Sequence, residues 1–291
     1  MSVDKFSFLS KNNSMPEKPS PKRSARSNLL EKLVPVLLVA SIVLAFVVGI
    51  LWQKVSSLEK GGTAPTAGTT TQNPQANQPQ QPNVTLDQIK GLFSKDLIKF
   101  GDAGSKVLFV EVADPSCPYC HVAAGRDPEL NREVGDRFRL VSDGGTYVAP
   151  VPEMEKLVEQ GKASLAYIYT PGHGNGEMGM KALYCAYDAG KFWEVHNLLY
   201  TNEGYNLLNN SVKNDKTKSG ELADFLKSAV NAGDLKSCID SGKYDQRLTS
   251  DTSLAGSLGI TGTPGFFVNT TNFAGAYSYN DMQPAVDAAL K

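Results

Sequence analysis

The stretch Val107-Leu108-Phe109-Val110-Glu111-Val112-Ala113-Asp114-Pro115-Ser116-Cys117-Pro118-Tyr119-Cys120-His121 decides how the chain reads. Its first six residues form a short, nearly continuous apolar run, the pattern of a strand buried on both faces. A Cys-x-x-Cys that leaves such a strand is informative. A helix starting at Cys117 would aim unpaired backbone N–H groups and the positive end of its dipole at that sulfur, favouring thiolate over thiol. Pro118 then takes the first helical position, where its missing N–H costs nothing. Cys120, one turn in, is expected to be less exposed. An incoming thiolate would attack Cys117 of the disulfide and expel Cys120, and a second thiol would then expel Cys117. A stabilised Cys117 thiolate makes the pair an oxidant. Glu111, flanked by Val110 and Val112, is expected to be buried, which would raise its pKa and allow proton exchange near neutral pH. Tyr119 is expected to tune the pair sterically. His121 is left between two roles, a donor to the Cys117 thiolate or a cap on the surface.

Outward from this stretch, Val84 to Phe93 has helical spacing, and Leu165 to Tyr169 reads as a second strand stopped by Pro171 and Gly172. From Met178 to about Ile239 the pattern is helical with breaks, and a further helix is expected from about Tyr244 to Leu258. Gly262-Thr263-Pro264-Gly265-Phe266-Phe267-Val268-Asn269 reads as a turn feeding a strand, and Asp281 to Leu290 as a last helix. This order makes an α/β domain with a helical insertion at about 176–258.

These residues resemble the DsbA-like branch of the thioredoxin-fold thiol–disulfide oxidoreductases. The likeness rests on the Cys117–Cys120 motif after its strand and on Glu111, six positions before Cys117. It also rests on Ala182-Leu183-Tyr184-Cys185-Ala186 with Gly190-Lys191-Phe192-Trp193 and His196, and on the Thr263-Pro264 turn. The resemblance implies a thioredoxin fold with an inserted helical subdomain and a cis bond before Pro264. It implies Cys117 and Cys120 as the exchanging and resolving cysteines and Glu111 as a proton acceptor. It also implies a substrate-binding loop at Thr263 and Pro264, which would pair with an extended substrate through its backbone. Reduced exported proteins would be the substrates, and a quinone-linked membrane thiol oxidase would recycle the pair. No bound cofactor is implied. The sequence departs from the family at Gly125-Arg126-Asp127-Pro128, which cuts the helix after Cys120 short. The insertion that follows, to about Gly161, reads either as a surface excursion or as a reshaped surface beside the site.

Before the domain, residues 1–32 carry seven basic and three acidic side chains and read as a basic cytoplasmic tail. Residues 33–52 are twenty uncharged positions, enough for a helix of about 30 Å that spans a bilayer. The run is longer than a secretory signal and no small-x-small cleavage site follows it, so an uncleaved anchor is expected. The basic residues before the span place the N-terminus inside and the domain at 84–291 outside. Residues 53–83 are a juxtamembrane segment and a flexible linker. The whole chain of 291 residues carries 29 basic against 30 acidic side chains, net −1, and 41% apolar residues. That balance argues against a nucleic-acid partner and excludes a wholly disordered chain.

Other readings meet obstacles. Cys117-Pro118-Tyr119-Cys120-His121 also fits a c-type haem attachment pattern, but the strand before it and the remote Thr-Pro-Gly-Phe-Phe turn favour the redox fold. Cys185 and Cys238 stand singly, which fits a four-cysteine zinc site poorly, and no metal is expected. Outside the cytoplasm a Cys185–Cys238 disulfide is the simpler assignment; the alternative is two buried free thiols acting as small apolar residues. A reductase or isomerase using the same pair, and a non-catalytic docking domain, complete the set.

Overall fold

The computed structural model describes residues 83–291. The expected tail, the 33–52 span and the linker up to residue 82 lie outside the described residues. Among the described residues no helix is long and apolar enough to cross a membrane.

Strand β2, Val107–Ala113, is buried at every position and occupies the centre of a five-stranded sheet. It runs parallel to β3 (Ala163–Tyr169) on one side and antiparallel to β4 (Gly265–Val268) on the other. Two short strands close the edges, β1 (Ile98–Phe100) against β3 and β5 (Thr271–Ala274) against β4. Alternation along β2 divides the core: Leu108, Val110 and Val112 pack with α1 (Leu86–Leu92) and with Ala255 and Leu258 near the end of α10 (Asp245–Ser257). Phe109 and Ala113 face the opposite side, against α2 (Pro118–Ala124), α4 (Pro150–Glu159) and α11 (Tyr279–Leu290). The sequence pattern does not signal the edge strands, because three or four residues are too few for an alternation. The turn into β5 does carry a mark, Asn269 at φ 51°, whose side chain accepts from Leu108 N at 2.9 Å.

Helix α2 ends where the break in the sequence predicts. Gly125 caps it at φ 63°, and a Cβ there would lie 2.4 Å from that of Ala149. The next helix, α3 (Pro128–Glu133), starts under an Asp127 cap. The insertion is a brace: Val122 of α2 packs with Phe138, Leu140, Tyr147 and Ala149. Asn131 donates to the carbonyls of Val122 and Phe138, and Val148 exchanges hydrogen bonds with Ser278 and Tyr279 at the head of α11. The active-site helix is thereby tied to the C-terminal helix.

Between β3 and β4 the chain forms a helical block. It contains α5 (Glu177–Asp188), α6 (Phe192–Leu199), α7 (Asn202–Asn206) with a π-helical turn to Val212, α8 (Ser219–Phe225), α9 (Ala232–Asp240) and α10. A disulfide joins Cys185 of α5 to Cys238 of α9, 53 residues apart, with Cα atoms 6.1 Å apart. Asp251, buried on α10, accepts from Tyr184 Oη at 2.7 Å and from Tyr169 N at 3.2 Å, fastening the block to the end of β3. Closing a loop of this length stabilises by about 4 kcal/mol in the chain-entropy model. The double variant C185A/C238A should lose about that much in denaturant unfolding; a loss near zero would show that the block needs no crosslink.

Candidate active site

The turn Asp114-Pro115-Ser116 delivers Cys117 from the end of β2 to the head of α2. Asp114 is fully buried. One of its carboxylate oxygens accepts from Ser116 N at 2.8 Å and Ser116 Oγ at 2.7 Å. The other accepts from Gly172 N at 2.7 Å and His173 N at 2.9 Å. The carboxylate thus fixes the cysteine turn to the 171–176 loop. The same loop passes under Thr263, and a Cβ at Gly172 would lie 1.8 Å from Thr263 Oγ1. Asn209, from the π-helical turn, donates to Ser116 O at 3.0 Å.

Cys117 is the N-cap of α2, in extended conformation, with Pro118 in the first turn. Its sulfur is 3.4 Å from the carbonyl oxygen of Thr263, which precedes Pro264 in a cis bond. The Cys117 thiol is held down to about 6, above all by the hydrogen bond from Cys120, with backbone N–H groups of Cys120 and Tyr119 adding to it against the cost of burial. Cys120 is wholly enclosed, and burial pushes its thiol well above the ordinary range. The two sulfurs therefore differ sharply in acidity at one turn's separation.

Glu111 lies on β2, six residues before Cys117, and is 1% exposed. Burial pushes its carboxyl up to about 8, and neither oxygen has a hydrogen-bond partner among the described residues. Tyr119 is the exposed member of the motif, its ring set edge-on against Phe138 of the brace. His121 departs from both expected roles. It is buried, and its two ring nitrogens face the carbonyl oxygens of Pro115 at 2.8 Å and Tyr200 at 3.2 Å instead of the Cys117 sulfur. A residue four after the N-cap points back along α2 into the helical block, where desolvation lowers its pKa to about 4. No group of His, Cys, Asp or Glu among the described residues is arranged to hold a metal.

Sequence reasoning overlooked Asp114, although Asp-Pro-Ser is the signature of a side chain bonding its own backbone two residues on. It also overlooked Tyr167, opposite Glu111 in the strand register, and Tyr200, whose hydroxyl meets that of Tyr167 at 2.8 Å; nothing in a buried tyrosine's letter separates it from core filling.

Comparison with known proteins agrees with this fold. A family model described as thioredoxin matches residues 151–288, a stretch that holds the Thr263–Pro264 loop and begins after the cysteine pair. A relative from Rickettsia felis, named as a protein-disulfide oxidoreductase, is 24% identical over 216 residues, covering 73% of this chain and 67% of that one. Its namesake from Rickettsia conorii is also 24% identical, covering 73% and 68%. Among solved structures, a cysteine-to-alanine variant of alpha-DsbA1 from Wolbachia pipientis aligns with a TM-score of 0.51 at 19% identity, over 71% of this chain and 96% of that one. The fold is thioredoxin-like, and the chain is similar to DsbA-like oxidoreductases.

The Glu111 carboxyl gives a prediction with a definite sign. Its folded pKa lies above the unfolded value, so its contribution to stability is fully present below pH 4.5 and is lost as pH rises to about 8. Replacement by a neutral isostere removes that loss. Glu111→Gln should therefore stabilise the protein at pH 8 by on the order of a few kcal/mol and leave it nearly unchanged at pH 4. Thermal unfolding at the two pH values measures this, and an equal effect at both contradicts a buried, unpaired carboxyl.

Proposed function

We propose that the domain is a thiol–disulfide oxidoreductase that introduces disulfides into exported proteins by exchange at Cys117–Cys120. One observation carries the reading: two sulfurs of opposed acidity stand one turn apart, and the acidic one faces the Thr263–Pro264 loop. In the oxidised state a substrate thiolate attacks Cys117, forming a mixed disulfide and expelling Cys120, which must gain a proton. The substrate's second thiolate then attacks its own sulfur in that bond and expels Cys117. A leaving thiol with its pKa near 6 departs ionised at neutral pH, so the reduced form is favoured and the disulfide is oxidising. That supports oxidase over reductase or isomerase as the direction. Glu111 is the proton donor and acceptor for Cys120 in this reading. Thr263 and Pro264 pair with an extended substrate segment, recognition tolerant of side-chain sequence.

The sulfur chemistry needs no bound cofactor, since each step exchanges one S–S bond for another. The likeness to DsbA-like proteins supports reoxidation by a quinone-linked membrane thiol oxidase as part of this proposal. The 33–52 span supports a single-pass anchor with the domain on the extracytoplasmic side, within reach of such a partner.

The pair's reduction potential against glutathione tests the direction: a value nearer about −120 mV than about −270 mV is expected, and the more negative figure would make the protein a reductase. Cys117→Ser should abolish disulfide formation in a reduced client protein. Alkylation of the reduced protein should report a Cys117 midpoint near pH 6, with reactivity falling as pH drops through it. A midpoint near that of a free thiol removes the basis for an oxidant.

A further inference from the structure

Strand β5 ends at Ala274, and the N–H of the next residue, Gly275, donates to the carbonyl of Pro264 at 2.9 Å. That bond sets the turn between β5 and α11 against the loop whose Thr263 carbonyl faces Cys117. Beyond Gly275 lies a pocket walled by Arg137, Phe138, Tyr147, Tyr277 and Asp281. Gly275 also lines a second hollow, which contains Thr263 and Pro264, so the two are continuous. Arg137, Phe138 and Tyr147 belong to the brace, and Tyr147 Oη donates to the Tyr277 carbonyl at 3.3 Å. Phe138 meets the ring of Tyr119 edge-on, with centroids 5.8 Å apart. The pocket therefore adjoins both the redox motif and the Thr263–Pro264 loop.

The brace carries four arginines. Three are ion-paired: Arg126 with Glu155 at 3.5 Å, and Arg132 and Arg139 with Asp143 at 2.9 and 3.6 Å. Arg137, the one that lines the pocket, makes no ion pair among the described residues. Its guanidinium lies 4.4 Å over the Phe138 ring. Stacking uses one face of the plane and leaves the N–H groups around its edge for an acceptor. The pocket's own carboxylate, Asp281, is engaged in the α11 cap, where it accepts from Ser278 N at 3.1 Å.

We propose that this pocket receives an acidic side chain of the client, a few residues from the reacting cysteine, and that Arg137 is the residue that selects it. This rests on the exchange reading above and names the class of client segment that the same site prefers. A client held by its backbone at Thr263 advances about 3.3 Å per residue, so its next residues pass the Gly275 turn and the mouth of the pocket. A carboxylate there meets the open edge of the Arg137 guanidinium, whose geometry suits a two-oxygen acceptor. Backbone pairing leaves the side-chain sequence open, and Arg137 adds a charge preference to it. The selecting residue comes from the insertion, so the brace both supports the active-site helix and reads the client.

The test uses reduced peptides with two cysteines and otherwise uncharged residues, carrying Glu, Gln or Lys at each position within about four residues of the first cysteine. The rate at which each reduces the oxidised full chain is followed by thiol titration. With the wild type, Glu at one or more positions should react about fivefold faster than Gln, and Lys more slowly than Gln. Raising the salt to about 0.5 M should remove most of that spread. Arg137→Gln should collapse the order and Arg137→Glu should invert it, so that the Lys peptide becomes the fast one. Comparing ratios between protein variants cancels the effect of each charge on the peptide's own thiol, and a gain with the Lys peptide shows that the variant is folded. The proposal is overturned if the peptides react alike with the wild type, or if Arg137→Glu keeps the wild-type order. A wild-type chain inert to every peptide overturns the exchange reading itself, and the charge preference with it.

Discussion

The carboxylate of Asp114 is the constraint on which the site depends. It is buried and accepts from Ser116 in the turn before Cys117 and from the 171–174 loop, two segments that follow the C-terminal ends of the neighbouring parallel strands β2 and β3. A buried acceptor left without such donors costs several kcal/mol, so the two segments are held at fixed separation as a condition of folding. That separation sets where Thr263 lies relative to Cys117, since Gly172 passes close against the Thr263 side chain. The contact between Cys117 and the Thr263 carbonyl, which spans 146 residues of sequence, follows from a local bond at Asp114.

The acidity of Cys117 has a similarly local origin. Helix α2 has only seven residues before Gly125 ends it, so the dipole acting on its first residue is that of a short helix. The hydrogen bond from Cys120 outweighs the backbone contributions. The short helix is compensated by the 126–149 brace, whose apolar residues hold Val122 and whose last residues bond the head of α11. The insertion is thus part of the support of the redox turn, although its sequence reads equally well as a surface excursion.

Much of the fold is legible in the letters. The buried run before Cys117, the apolar spacing of the helices and the Thr-Pro-Gly-Phe-Phe turn place three strands and most of the helices, because each repeats its pattern often enough to be counted. The edge strands Ile98–Phe100 and Thr271–Ala274 are too short for that, and they form because β3 and β4 present partners. In the site, Cys117, Cys120, Glu111, Thr263 and Pro264 are found by motif. The orientation of His121 is not, because it depends on carbonyls contributed by Pro115 and, 79 residues away, Tyr200. Cys185 and Cys238 are readable as a pair only through the compartment the N-terminal run implies. Their joining in space depends on the packing of α5 against α9.

The 3.4 Å contact from the Cys117 sulfur to the Thr263 carbonyl has one further consequence. A thiol can donate that bond, but a disulfide sulfur carries no hydrogen and a thiolate has none to give. The carbonyl before Pro264 is therefore occupied while Cys117 is protonated and becomes a vacant acceptor when the pair is oxidised. With the Cys117 thiol held down to about 6, that acceptor is free at neutral pH in the oxidised and the reduced protein alike, and only in mild acid does the sulfur compete for it.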